Sequence, residues 1–267
     1  MKIRIPWLGV ITTLVCLMVI SPFLVIVPVS FTSARYLSFP PQGFSLQWYQ
    51  KILDRPEFTD AFLFSLQLAA VTAVVATLIG TLAALAIHKY NVPGKGFVTT
   101  LLMSPLTVPS IIIGIAALLF FTRIGLGGSF AGLLLAHILI AVPYVVRLTL
   151  TGLSSFDYTL ERAAYIMGAK PFNVFWDITL PLLRPAILSG LIFSFLTSFD
   201  NVTVSLFLVA PDTTTLPLAI FSYMQETLDP LVASISSVVI LLSLVFIFLL
   251  ERVYGLDRLF GTNTQSH

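Results

Sequence analysis

Polar chemistry is scarce in this chain, so its placement carries information. The stretch ERAAYIMGAKPFNVFWDITLPLLRP at 161–185 holds Glu161, Arg162, Lys170, Asp177 and Arg184 between long apolar runs, punctuated by Gly168, Pro171, Pro181 and Pro185. His137 and Asp200 stand within apolar runs of their own. A carboxylate in hydrocarbon costs about 3 kcal/mol or more, so Asp200 is expected to face protein or water. Ser194, Thr197, Ser198, Asn201, Thr203 and Ser205 give its segment a polar side. That side reads as the lining of a passage, or Asp200 is a structural carboxylate paired to a neighbouring helix. His137 reads either as a hydrogen-bonded structural residue or as a ligand. Catalysis would require a nucleophile with its base, or a metal-ligand cluster. His137 and Asp200, with the single Cys16 remote, make neither. One cysteine also excludes an intrachain disulfide and a cysteine-cluster metal site. No Walker-type glycine loop occurs, so any nucleotide must be bound by another chain. Neither a metal nor a cofactor is expected.

The elements that must position these residues are set by composition. The chain has 267 residues, of which 57% are hydrophobic and 10% charged, with a mean hydropathy of +1.00. Soluble domains carry about 25% charged residues, and a soluble core of this size could not hide so much apolar surface. Repeated apolar runs near the roughly 20 residues needed to cross a bilayer imply an all-α polytopic membrane protein. Six spans are expected, at about 7–30, 61–87, 97–121, 130–150, 183–209 and 230–251. LTVPS at 106–110 and Gly114 mark the third as bent, and Pro143 marks a kink in the fourth. The net charge of +2, with no basic cluster interleaved with aromatics, does not suit nucleic acid.

With the N-terminus inside, Lys2, Arg4, Lys89, Lys95, Arg147, Arg162, Lys170, Arg184, Arg252 and Arg258 fall on the cytoplasmic side. Arg35, Lys51, Arg55 and Arg123 fall outside, so the positive-inside bias is clear and both termini are cytoplasmic. The first apolar run is too long for a cleavable signal and reads as a retained span, with cleavage near FTSA as the alternative. The outer segment 31–60 lies along the membrane surface or is a plain connector. The outer loop 210–229 carries Asp212, Glu226 and Asp229 without Lys or Arg. The whole chain reads as a single transmembrane domain.

Residues 151–182 then form a cytoplasmic loop. Asp157 can cap a helix of about ten residues, which Gly168 ends in the left-handed conformation and Pro171 blocks from continuing. Ala163 and Ala164 supply little bulk, and Tyr165, Ile166 and Met167 supply apolar surface. The helix either docks in a partner's groove or packs on its own bundle.

This loop resembles the EAA loop of binding-protein-dependent ABC importer permeases. Ala163 and Ala164 stand at the two Ala positions, Gly168 follows after three residues, and nine more lead to Ile178, Thr179, Leu180 and Pro181. The Glu position holds Arg162, with Glu161 one place earlier. The resemblance implies a six-helix permease of the type I ABC importer fold in a bacterial inner membrane. It implies that Glu161, Arg162, Ala163, Ala164, Met167, Gly168, Ile178, Leu180 and Pro181 couple the 157–181 loop to a cytoplasmic ABC ATPase dimer. A second, paralogous permease subunit and an extracytoplasmic solute-binding protein are the other implied partners. SFDNVTVSLFL around Asp200 is most similar to the spermidine/putrescine branch, which implies a polyamine-like cation passing Thr197, Ser198, Asp200 and Asn201. Other branch members carry opines, phosphonates or other organic cations. An ion-gradient-driven secondary transporter is the rival class. It would require an inverted repeat and more intramembrane charges than the sequence contains.

Overall fold

The long apolar runs are helical, two of them broken. The computed structural model describes residues 7–90, 93–210 and 213–254, with side chains through 245. Lys2, Arg4, Asp212 and Arg258, which enter the orientation and charge readings above, lie outside the described residues, as does the Arg252 side chain. No strand occurs among the described residues. The chain divides into two compact units, Met1–Thr59 with Ile220–Leu249, and Asp60–Ala219 with Leu250–His267.

In the first unit, α1 (Trp7–Val29) carries no charged residue, and its Thr12, Thr13 and Ser21 hydroxyls bond carbonyls of the helix itself. The segment after it is folded rather than a plain connector. The Ser33 amide donates to the Gln42 carbonyl at 2.9 Å, and Phe31 stacks on Phe44. A short helix, α2 (Gln47–Leu53), follows and buries Trp48. The Ser234 hydroxyl of α12 (Leu231–Tyr254) donates to the Ser30 carbonyl at 3.0 Å. This ties the last helix to the end of the first.

The second unit holds the polar residues of interest. α3 (Pro56–Lys89) enters it from the first unit. α4 (Lys95–Met103) and α5 (Ser110–Arg123) meet at a 99° bend. Pro105 and Pro109 lack the amide hydrogens a continuous helix requires, and Pro109 holds Val108 out of the helical region. The expected bend of the third span is therefore a near right angle. α6 (Phe130–Ser154) is continuous through Pro143 and is the most buried of the unit's long apolar helices. Its Val145 is fully buried. A methyl group added at Gly80 of α3 would lie 2.6 Å from the Val145 Cβ, and one at Gly190 would lie 3.2 Å from its Cγ1. Small residues let helix backbones approach closely where lipid offers no hydrophobic driving force, so α6 is gripped from both sides at this level.

The fifth span departs from expectation. α9 (Leu180–Phe199) stops at Phe199, and α10 (Thr203–Leu208) is a separate short helix. Asp200 is thus at a helix end and not inside a continuous span. The Asn201 side chain competes for a backbone hydrogen bond by taking the Val204 amide, so a new helix starts after the break. The outer segment 210–229 is not a loop throughout, because it contains α11 (Leu216–Glu226). The Leu216 amide at its start donates to the Ser65 hydroxyl at 2.7 Å.

Among the described residues four helical segments are individually long and apolar enough to cross a bilayer, and the α4–α5 pair, bent by 99°, is either a broken fifth span or a re-entrant loop. α12 runs 24 residues and is apolar over Leu231–Val245.

Candidate functional site

Two places gather the polar residues. The first is the segment after α6. Asp157 caps α7 (Tyr158–Ile166), accepting the Thr159 amide at 2.9 Å and its hydroxyl at 2.6 Å. These hydrogen bonds, the hydroxyl's first, hold the Asp157 carboxyl below its usual range. Gly168 ends the helix at φ +85. The Ala169 amide reaches back to the Ala164 carbonyl at 3.0 Å and the Gly168 amide to Tyr165 at 3.0 Å. This pair of bonds is the Schellman arrangement, which requires a residue at positive φ. α8 (Pro171–Val174) opens on Pro171, and a wide π-helical turn at Phe175–Thr179 leads into α9.

Helical geometry divides the expected coupling residues. Neighbours in sequence lie about 100° apart around a helix, so Ala163 and Ala164 cannot share a face. Ala164 is 6% exposed and Glu161 5% exposed, both turned into their own chain. The little bulk supplied by the pair is therefore divided between an inward and an outward side. The outer face carries Arg162, Ala163, Met167 and Gly168. Ile166 at 87% and Met167 at 81% are the most open apolar side chains there, with Phe172 and Trp176 also exposed beyond Gly168. Ile178 and Leu180 are half-buried and Pro181 is exposed.

Glu161 is the fastening of this segment. Its carboxylate accepts from Lys89 Nζ at 3.2 and 3.3 Å and from the Thr179 hydroxyl. The end of α3 is tied in a second way, because His88 stacks on Tyr158 with ring centroids 5.7 Å apart. Burial, followed by the Glu161 charge, pushes the Tyr158 phenol above its usual range. Lys89 and Thr179 escape sequence reasoning, since they stand 72 and 18 residues from Glu161. The one available signal is Lys89 as a lone cation at the end of an apolar run.

A charge test follows. Lys89→Met leaves the Glu161 carboxylate buried without its cation, whereas Lys89→Met with Glu161→Leu removes both charges. Taking one partner from a buried pair costs more than replacing both. With Lys89 partly wet, the single change is expected to cost about 1–2 kcal/mol. Limited proteolysis of the 151–182 segment should therefore be faster in Lys89→Met than in the double variant. Equal rates would mean the pair carries no load.

The second place is the break after α9. Asp200 is exposed in this subunit, Thr197 and Asn201 are half-buried, and Ser198 is buried. The polar side expected for the fifth span thus splits: Ser194, Ser198 and Ser205 are all buried and turn inward. The Ser198 hydroxyl meets His137 Nδ1 at 2.8 Å, and His137 Nε2 meets the Ser205 hydroxyl at 3.1 Å. His137 is thereby a fully buried, hydrogen-bonded residue, the first of its two sequence readings. Asn201 Oδ1 accepts the Val204 amide at 2.8 Å, satisfying an open donor of α10. Asp200 forms no ion pair among the described residues. Beside it Phe199 packs edge-on to Phe62 at 6.2 Å and stacks on Phe195 at 5.7 Å. Among the described residues no group of three or more His, Cys, Asp or Glu could hold a metal ion.

Known proteins place this architecture. Residues 76–255 match the family model described as "Binding-protein-dependent transport system inner membrane component". The spermidine/putrescine transport system permease protein PotC of Escherichia coli (strain K12) is 34% identical over 226 residues, 85% of each chain. The putrescine transport system permease protein PotI of the same strain is 31% identical over 245 residues, covering 89% of this chain and 87% of that one. In fold, the chain is similar to a solved bacterial ABC transporter involved in import of the acidic polysaccharide alginate. The TM-score is 0.70 at 16% identity, over 92% of this chain and 94% of that one.

Proposed function

The chain belongs to the family of binding-protein-dependent transport system inner membrane components, and from that premise we propose that it forms half of the passage for a polyamine-like cation. It pairs with a second, paralogous permease subunit and receives solute from an extracytoplasmic binding protein. ATP hydrolysis takes place on a cytoplasmic ATPase dimer, gripped by the outward face of α7. Both termini are cytoplasmic in this arrangement.

The observation that carries the solute reading is Asp200: a carboxylate at a helix break, without an ion-pair partner among the described residues. The end of α9 adds the negative pole of the helix dipole. Phe199 and Phe62 add aromatic faces suited to an ammonium group and its methylenes. The relatives named for spermidine and putrescine support the same solute class. From Arg184 to Asp200 the axis rises about 24 Å at 1.5 Å per residue. With Arg184 at the inner surface of a hydrocarbon layer about 30 Å thick, Asp200 lies toward the outer end of the passage. There it meets solute soon after release from the binding protein.

The coupling reading rests on the exposed Ile166, Met167, Phe172 and Trp176 in a segment that leaves the membrane. Large open apolar side chains clustered on a short polar loop mark a partner's surface. The test is reconstitution of the four-component system in vesicles, with the binding protein loaded by spermidine, putrescine or 2-aminoethylphosphonate. A relative named for the last, from Salmonella typhi, is 28% identical. Polyamine-loaded binding protein should raise ATPase activity and drive uptake. Stimulation by the phosphonate alone would overturn the polyamine assignment. Uptake by this subunit without the ATPase would overturn the coupling assignment.

A further inference from the structure

His137 is a fully engaged polar side chain of the second unit without a task in transport. It is fully buried on α6, and both ring nitrogens are used. The Ser205 hydroxyl has one proton, and it is donated to the Asn201 carbonyl at 2.7 Å. Ser205 must therefore accept from His137, so Nε2 carries the hydrogen and Nδ1 accepts from Ser198. The ring is a neutral bridge with one direction of donation along the chain Ser198, His137, Ser205, Asn201.

The two serines lie on opposite sides of the break, Ser198 in the last turn of α9 and Ser205 in α10. Asp200 lies between them. A helix break frees carbonyls at one end and amides at the other, and in apolar surroundings such groups must find partners. Here Asn201 serves α10 with both its side chain and its carbonyl. The imidazole then fixes both flanks to a third helix that is held by its own close packing. A rigid ring holding both ends of a short segment leaves that segment few conformations.

We propose that His137 is a positioning residue for transport: by bridging Ser198 and Ser205 it sets the geometry of the break and so the direction in which Asp200 is presented. The inference rests on the Asp200 reading given above. Without the ring, α9 and α10 keep their apolar packing, but the 199–202 segment can settle in several ways. The carboxylate is then presented correctly for only part of the time.

A residue that is merely structural would lower assembly without reference to Asp200. A positioning residue acts through Asp200, and three measurements on the assembled complex in vesicles separate the two. His137→Leu should lower uptake per assembled complex about fivefold or more, while nucleotide hydrolysis stimulated by loaded binding protein persists. In an Asp200→Asn background the same change should have little further effect. His137→Gln, which offers one acceptor and one donor, should restore most of the loss, and Ser198→Ala should mimic His137→Leu. Equal losses with Asp200 intact and in the Asp200→Asn background, or a Gln variant no better than Leu, would overturn the proposal.

A further measurement, the rate of thiol labelling, does not depend on Asp200 having a role in transport. With the native thiol removed by Cys16→Ser, the rate at which a cationic, membrane-impermeant thiosulfonate labels Asp200→Cys reports how that position is presented. His137→Leu should change the rate about fivefold or more, and His137→Gln should return it toward the starting value. An unchanged rate in His137→Leu overturns the positioning role. If labelling changes as expected but Asp200→Asn leaves uptake intact, it is the assignment of Asp200 to the passage that fails.

Discussion

Asp200→Asn is expected to cut polyamine uptake by about 10- to 100-fold while the subunit is made and assembled normally. The magnitude follows from a charge-assisted hydrogen bond, about 1.5–3 kcal/mol, lost from the moment at which the solute leaves the binding protein. The folding side is small because the side chain of Asp200 makes no ion pair among the described residues. Its backbone amide bonds the Leu196 carbonyl at 3.1 Å, which asparagine keeps. A contact on a passage must also be weak enough to release its solute, so Asp200→Glu should retain part of the activity. Basal ATPase activity should persist, since the motor sits on another chain. Poor assembly of the Asn variant, with normal uptake per surviving complex, would assign Asp200 a structural role and withdraw the case for a cation.

Gly168→Val is expected to weaken the grip of α7 on the ATPase, so that uptake and solute-stimulated hydrolysis fall together. Nothing lies within 4 Å of a methyl group added at Gly168, so bulk is not the obstacle. The obstacle is φ +85, which an ordinary residue occupies at about 1–2 kcal/mol and a β-branched one at more. The chain relieves that cost by abandoning the two backward hydrogen bonds from Gly168 and Ala169. The end of α7 then frays, and Ile166 and Met167 no longer point as a fixed pair. Uptake should fall about tenfold or more, with solute-stimulated hydrolysis falling alongside it. Gly168→Asn should be the mildest polar replacement, because asparagine tolerates the left-handed region. A valine variant with full solute-stimulated hydrolysis would remove α7 from the coupling path.

What could be read in advance was local. The cap at Asp157, the end at Gly168 and the bend near Pro109 each depend on residues within a few positions of one another. The outward or inward sense of Ala163 and Ala164 was also legible in principle, since adjacent helical residues cannot face the same way. The rest depends on distant pairs. Glu161 meets Lys89 across 72 positions, and His137 meets Ser198 and Ser205 across 61 and 68. Hydrophobic periodicity says nothing about such pairs. The break at Asp200 was obscured for another reason. The stretch FLVA at 207–210 continues the apolar run, so length alone extends the span through a point where polar side chains end it.

The tie at Glu161 has a mechanical corollary. A rod pinned at one point swivels under load, and its motion is dissipated as rotation. α7 is pinned at three: to α3 through Lys89 and the stacked His88, to the turn before α9 through Thr179, and to α6 through the short link at 155–157. Ties to three different helices, two of them meeting at the one Glu161 carboxylate, brace it as a truss does. A force applied at Ile166 and Met167 is then resolved into thrust along three long helices at once, and none of them carries the whole torque. Cutting the Glu161 tie would leave the lever held only at its first turn, by the His88–Tyr158 stack and the link from α6.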